Sequence, residues 1–462
     1  MAYQFFGMTP RAHQLQVIDF MLRNKRAYNF SDMGTGKTAS SLWAVDMLLE
    51  AKKINKVLIV CPISLMKSVW AAEIVKILPN RTYSIVHGSR DRRIKALDRP
   101  AEFYIINHDG VKWYLKELRA KGFDVIIVDE ADGFKHYKPA KKDKATKKIT
   151  HTKTSAMKVL CDDTKAVYPL TGTPMSNSPM DAFGLAKVFN EEKLFTPYIT
   201  KWQQATMYQL NGFTWVPNEM ASKIVHVTLQ PAIRYKLEDC VDMPPIVTEY
   251  VEFEMAAEQA RVYKEMFDHQ VAEYKDGLIT AVTAGVKMTK LLQIASGCVY
   301  DSEGHAIVLP LKGKIEEILH VQKQVGQVIV FVQFVEVAKM LHKELEDSRL
   351  IYGDVSLNAR SEILADFEAG KFNILIAQPR TTSHGLNLQY VNTVIFFGPV
   401  LGNGFYRQAI ARIRRSGQIK PQLVINFYSS PIEKRLYKVL EQKELDSQEL
   451  LHMYEKQKDV YI

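Results

Sequence analysis

Cysteine is scarce in this chain: four residues in 462, Cys61, Cys161, Cys240 and Cys298, none at the paired spacing that zinc needs and too few for a disulfide scaffold. A reducing compartment is the expectation. No apolar run approaches the roughly 18 residues of a membrane span, so no membrane partner is expected. Met1 to His13 lacks a charged start followed by an apolar core, so a secretory signal is not expected either. No repeat of solenoid length is visible. Acidic residues are outnumbered, 51 against 61 Lys and Arg, and the resulting charge of +10 favours a polyanionic partner, although a positive balance can also serve only solubility.

A 47% hydrophobic content over this length is enough for more than one core, and two or three domains are expected. Continuous apolar runs suit parallel strands buried on both faces. One series comprises Ala27 to Phe30, Val57 to Cys61, Phe103 to Ile106, Asp124 to Val128 and Ala166 to Leu170. A second comprises Val328 to Val332, Asn373 to Ala377, Thr393 to Phe397 and Gln422 to Phe427. Between them, from about Phe195 to Val308, the alternation breaks. There Asn211-Gly212, flanked by Tyr208, Leu210, Phe213 and Trp215, signals a hairpin, and Ala256 to Gly297 reads as helical.

Chemistry concentrates in three places. Gly34-Thr35-Gly36-Lys37-Thr38 follows a strand and opens the helical run Ala39 to Leu49, the setting in which backbone N–H groups and a helix N-terminus hold a polyphosphate. Lys37 would approach the β and γ phosphates, and Thr38 would ligate Mg²⁺. Asp129-Glu130-Ala131-Asp132 ends the strand from Asp124; such acids often only cap helices, but with Lys37 upstream Asp129 is expected to hold Mg²⁺ through water and Glu130 to activate the attacking water. Gln408 to Gln418 carries Arg412 and Arg415, whose spacing of three on a helix would put both guanidinium groups on one face, ready to stabilise transition-state charge. Hydrolysis would then depend on closure of one cleft built from both ends of the chain.

Lys135 to Lys153 holds eight lysines against the single acid Asp143 and is expected to be an exposed, mobile loop, either merely solvated or touching phosphates through Lys141, Lys142, Lys147 and Lys148.

In order and spacing these strings resemble the Swi/Snf-type branch of the superfamily two helicases and DNA translocases. Pro10 to Gln14 resembles its adenine-reading Q motif, Ser31 to Thr38 its motif I, and Cys61-Pro62-Ile63-Ser64-Leu65 with Trp70 and Glu73 its motif Ia. Asp129 to Asp132 with Lys135 resembles motif II, and Leu170-Thr171-Gly172-Thr173-Pro174-Met175-Ser176-Asn177 the branch's form of motif III. Val328 to Phe334 resembles motif IV, Gly385-Leu386-Asn387-Leu388 the end of motif V, and Gln408 to Gln418 motif VI.

The resemblance implies two RecA-like parallel-sheet lobes in tandem with a mixed helical and hairpin insertion between them: lobe 1 over 1–230 with the hairpin near 195–228, a helical linker over 231–305, and lobe 2 over 306–462. It implies an ATP- and Mg²⁺-dependent motor on duplex, forked or branched DNA. Gln14, Gly385 and Gln408 would contact nucleotide, Thr171 and Thr173 would couple it to the track, and Ser64 and Asn387 would meet nucleic acid. Action as a monomer in a cytoplasm, bacterial or phage-infected, is expected, or in a nucleus if the source is eukaryotic. The hairpin is a candidate strand-separating wedge, although ordinary packing also accounts for it. An RNA-directed helicase and an ATP-gated DNA clamp without turnover are the alternatives. Departures mark a divergent member: Ser31 stands at the first-Gly position of motif I, Asp132 for a usual His, Thr382-Ser383 for paired glycines, and Leu401-Gly402-Asn403 for Trp-Asn-Pro.

Overall fold

The computed structural model describes residues 3–143, 146, 149–175, 178–211, 214–274, 277–280, 283–382, 388–415 and 417–442. The chain divides into two compact units, one running through Asp242 and the other covering Met243–Lys443.

The first unit is built on a seven-stranded, wholly parallel sheet. Its strands are β1 (Tyr28–Asn29), β2 (Val57–Cys61), β3 (Tyr83–Val86), β4 (Phe103–Asn107), β5 (Val125–Asp129), β6 (Ala166–Leu170) and β7 (Ala232–Ile233), in the order β7-β1-β6-β5-β2-β4-β3. Alternate residues of the central strands enter different cores, which is why those strands are mostly apolar. Val57, Ile59 and Cys61 pack with Val17, Met21, Trp43 and Val45 from helices α1 (Ala12–Arg23) and α2 (Lys37–Glu50). Leu58 and Val60 face the opposite layer, with Met157, Phe183 and Leu185.

The second unit carries a six-stranded parallel sheet of β8 (Ile246–Glu252), β9 (Val328–Phe331), β10 (Ser348–Ile351), β11 (Ile374–Ala377), β12 (Thr393–Phe396) and β13 (Gln422–Tyr428), ordered β8-β13-β12-β9-β11-β10. Val328 and Val330 fill one face and Ile329 and Phe331 the other. The chain is therefore α/β with two parallel sheets in tandem, as the apolar runs indicate.

Within the segment expected to be a helical linker, Ala232–Ile233 is an edge of the first sheet and Ile246–Glu252 an edge of the second. The run read as continuously helical is two helices, Ala257–His269 and Ala284–Ala295, separated by an antiparallel pair, Val271–Tyr274 with Gly277–Thr280. The first helix stops where Gln270 turns left-handed at φ 60°. The expected hairpin is present: Met207–Asn211 pairs with Thr214–Pro217, Asn211 standing opposite Thr214, and a bulge follows. Gly212 and Phe213 lie outside the described residues, while Tyr208 and Leu210 are exposed on its first strand.

Lys138, Lys141 and Lys142 of the lysine-rich segment are exposed, but part of it forms a ladder rather than a plain loop, Lys141–Lys142 pairing with Ile149–Thr150. Its ends are tied where Thr152 caps the helix Lys153–Asp162 and the Lys138 N–H donates to Thr154 Oγ1 at 2.9 Å. Lys147 and Lys148 lie outside the described residues.

The motif II turn is fixed from behind by the helix Pro179–Phe189. A Cβ on Gly184 would lie 1.5 Å from the Lys135 carbonyl oxygen, a backbone atom that cannot swing away. Gly184→Ala is therefore expected to lower stability by about 1–3 kcal/mol, the usual range for overpacking. Urea unfolding checks this, and an unchanged midpoint would refute the close approach.

Candidate functional site

In a parallel sheet every strand delivers its following loop to the same edge. Here the register sharpens that rule, because Leu170 at the end of β6 pairs with Asn29 of β1 on one side and with Asp129 of β5 on the other. The loops after β1, β5 and β6, which are motifs I, II and III, therefore leave the sheet side by side.

The first of these loops is pinned by β7 and the residues after it. Phe30 N–H donates to the Ile233 carbonyl and Asp32 N–H to the Tyr235 carbonyl, each at 2.9 Å, while Tyr235 N–H donates to Ser31 Oγ at 3.1 Å. The Asp32 carboxylate accepts from Leu237 N–H and pairs with the Arg234 guanidinium, both at 3.2 Å. Gly34 and Gly36 take φ of 87° and 81°, left-handed values that glycine supplies without strain. At Gly36 a side chain is also excluded by space, since a Cβ would come within 2.2 Å of Gln14 Nε2. His13 Nε2 hydrogen-bonds the Thr35 carbonyl at 2.8 Å. The Q-motif helix α1 thus rests directly on the phosphate loop.

Gln14 is buried, its Oε1 accepting from Arg11 N–H at 2.9 Å. Lys37 and Thr38 open α2, whose first-turn amides have no acceptor within the helix. The Lys37 ammonium is held over its own loop by the carbonyls of Ser31 at 2.5 Å and Asp32 at 3.2 Å.

Asp129 ends β5 and accepts from Trp70 Nε1 at 2.9 Å and from the Glu130 N–H at 3.0 Å. Burial, reinforced by the Glu130 charge, lifts its carboxyl to about 6, against the opposing pull of the Trp70 hydrogen bond and the Lys37 ammonium. Glu130 adopts φ 47°, ψ 53°, a left-handed conformation costly for a side chain of this kind and characteristic of functional turns. Asp132 is lifted to about 7, first by burial and then by Glu130, with Asp181 adding to the rise and Lys135 opposing it. Lys135 itself pairs with buried Asp181 at 3.3 Å. It is a fixed part of the motif II turn.

Thr171 and Thr173 are buried against the same edge. Thr171 N–H donates to the Asn29 carbonyl and its Oγ1 accepts from Thr173 N–H, both at 3.1 Å. Ser64 is half-buried, its carbonyl accepting from Ser68 Oγ at 2.6 Å. Gly385 and Asn387 lie outside the described residues.

In the second unit Gln408 is buried on the helix Asn403–Ile410. Arg412 and Arg415 do not share that helix, because it ends at Ile410. The chain tightens there, with Arg412 N–H bonding Ala409 and Ile413 N–H bonding Ile410, so Arg412 sits on an i→i−3 turn and Arg415 lies beyond it. Arg412 is buried, and Arg415 Nε donates to the Ala411 carbonyl at 3.4 Å. The residues that pattern reading passed over are Asp32 and Arg234, which anchor the loop, and the Trp70 contact to Asp129.

The chemistry of this set can be tested against the groups the motifs call for. Glycines at left-handed φ, an adjacent helix N-terminus and Lys37 suit a polyphosphate. The Thr38 hydroxyl and the Asp129 carboxylate, each of whose oxygens accepts one N–H and retains a lone pair, are hard oxygen donors of the kind Mg²⁺ takes.

Fold and site together define a P-loop nucleotide-hydrolysing protein with tandem α/β units. Residues 13–299 match the model of the SNF2-related domain and residues 312–417 that of the helicase conserved C-terminal domain. The chain belongs to the SNF2-related family and is an ATP-hydrolysing member of the superfamily two helicases and translocases. It is 28% identical over 432 residues to putative protein p41 of Acyrthosiphon pisum secondary endosymbiont phage 1, covering 88% of both chains. It is 25% identical over 462 residues to the nuclear protein STH1/NPS1 of Saccharomyces cerevisiae, covering 89% of this chain but 32% of that one. Among solved structures, the Sulfolobus solfataricus SWI2/SNF2 ATPase core in complex with dsDNA is 19% identical with a TM-score of 0.45, covering 98% of this chain and 96% of that one. Among the described residues, no helix is long and apolar enough to cross a membrane.

The raised carboxyls give the site a pH signature. A group that holds its proton more tightly when folded stabilises the fold at low pH, and that contribution is lost as pH rises through the folded value. For Asp132 the loss runs from the ordinary 3.8 to about 7. The chelator-treated protein should thus melt lower at about pH 8 than at about pH 5, and Asp132→Asn should narrow the gap. Equal gaps in parent and variant would contradict the burial of this charge.

Proposed function

We propose that the chain couples Mg²⁺-dependent ATP hydrolysis to movement along DNA, duplex, forked or branched, gripping mainly phosphates. The observation that carries this reading is the gathering of Lys37, Asp129 and a left-handed Glu130 at one sheet edge, with motif III buttressing the same loop.

On this reading the amides around Gly34, Thr35 and Gly36 hold the phosphates, Gln14 orients the base, and Gln408 and Gly385 add nucleotide contacts. Lys37 exchanges the Ser31 and Asp32 carbonyls for phosphate oxygens, which frees the loop to signal occupancy. Thr38 and Asp129 would hold Mg²⁺, which when bound would supply positive charge against the phosphates. Glu130 takes the proton of the attacking water. Arg412 and Arg415 are assigned to the charge that develops on the transferred group. Thr171 and Thr173, packed on the β1 end, transmit the change toward the track.

The track is assigned to Ser64, Asn387 and the lysines at 141, 142, 147 and 148, and the excess of basic residues supports a polyanion there. Phosphate contacts of this type give little base specificity and a steep salt dependence. Action as a monomer belongs to the same reading, and similarity to a phage protein supports work in a bacterial or phage-infected cytoplasm.

Glu130→Gln is expected to bind ATP yet lose at least about a hundredfold in DNA-stimulated phosphate release, the usual weight of a general base. Release at the parental rate would remove Glu130 from that role. Run on the parent with single-stranded, duplex, forked and four-way DNA beside structured RNA, the same assay should show the greatest stimulation by DNA. Greater stimulation by RNA would favour the RNA-directed alternative.

A further inference from the structure

The contact between Trp70 and Asp129 joins residues 59 positions apart and ties motif Ia to a hydrolytic carboxylate. Trp70 is fully buried, yet its place is not explained by packing alone. Trp43, equally buried in the same core, has an indole N–H with no hydrogen-bond partner, whereas Trp70 directs its N–H at a charged oxygen. It lies on a π-helical turn, Met66–Ala71, with Lys67 and Ser68 exposed on the same turn. π turns are strained insertions that persist chiefly where they aim a functional group.

We infer that Trp70 is a positioning residue for the divalent cation: its indole N–H holds one Asp129 oxygen while the Glu130 N–H holds the other, fixing the carboxylate plane that receives the metal. Asp129 follows a buried strand and has two side-chain torsions. With only the neighbouring N–H on one oxygen, it could rotate away from the cation. A donor on the second oxygen removes that freedom. Partners of metal ligands typically change metal affinity by about 10–100-fold when lost. The inference rests on the reading above that Asp129 serves Mg²⁺.

A fluorescent, non-hydrolysable ATP analogue titrated in EDTA and across a Mg²⁺ series separates the possibilities. Trp70→Phe removes the donor, and benzothienylalanine placed at position 70 removes it while preserving the ring shape, so that a folding defect in the first is covered by the second. Both should bind the analogue in EDTA as the parent does, with the Mg²⁺ midpoint raised about tenfold. An unchanged Mg²⁺ midpoint in the benzothienylalanine protein overturns the inference. So does an equal loss with and without Mg²⁺, which would mean packing alone. If Mg²⁺ does not tighten binding even in the parent, it is the assignment of Asp129 to the cation that fails.

Discussion

One row of backbone pairing governs the chemistry of this molecule: Leu170 lies between Asn29 and Asp129 in a sheet whose strands all run the same way. The central strands are buried on both faces, so most of their side chains contribute only packing. Polar function begins one residue past the pairing, where the chain escapes the cores. Glu130 and Thr171 are in that position, and Thr173 and Lys37 follow further along the same loops. A slip of one residue in β5 or β6 would send Asp129 or the threonine turn into a hydrophobic layer.

The loop that holds phosphate is not free at either side. Gln14 and His13 press on it from α1, and Asp32 is tied to Arg234 and Leu237 just before the chain enters the second unit. Lys37 meanwhile rests on the carbonyls of Ser31 and Asp32. Lys37, Asp32 and Arg234 are thus joined in one chain of contacts that ends at the segment leading onward. Close by, three acidic groups share one turn, where burial and then the Glu130 charge push the Asp129 and Asp132 carboxyls up. A bound cation would relieve that repulsion, and a site destabilised without its ligand gains most from binding it.

Legibility followed burial. The central strands, β1, β2, β4, β5 and β6 in one sheet and β9, β11, β12 and β13 in the other, read as apolar runs because two cores press on them. Within these two sheets, the four strands that pattern reading passed over, β3, β7, β8 and β10, are the four edges. Edges mix polar and apolar residues, as Ile246–Glu252 does with most of its residues exposed, and β7 is only two residues long. The site divides in the same way. Lys37, Thr38, Asp129 and Glu130 sit in contiguous strings whose spacing carries their chemistry. Arg234 meets Asp32 across 202 residues, and Trp70 meets Asp129 across 59, so no local pattern announces either pair. Arg412 and Arg415 were legible as residues but not in their setting, since nothing in Gln408 to Gln418 marks the helix end at Ile410.

The proposed function assigns the phosphates of ATP to Lys37 and its loop, and the charge of the transition state to Arg412. The most direct measurement compares nucleotide affinity and DNA-stimulated phosphate release in Arg412→Ala with the parent. Affinity within about twofold and release reduced by about a thousandfold, the weight of an arginine finger, is the expected result. Parental release by the variant would contradict it.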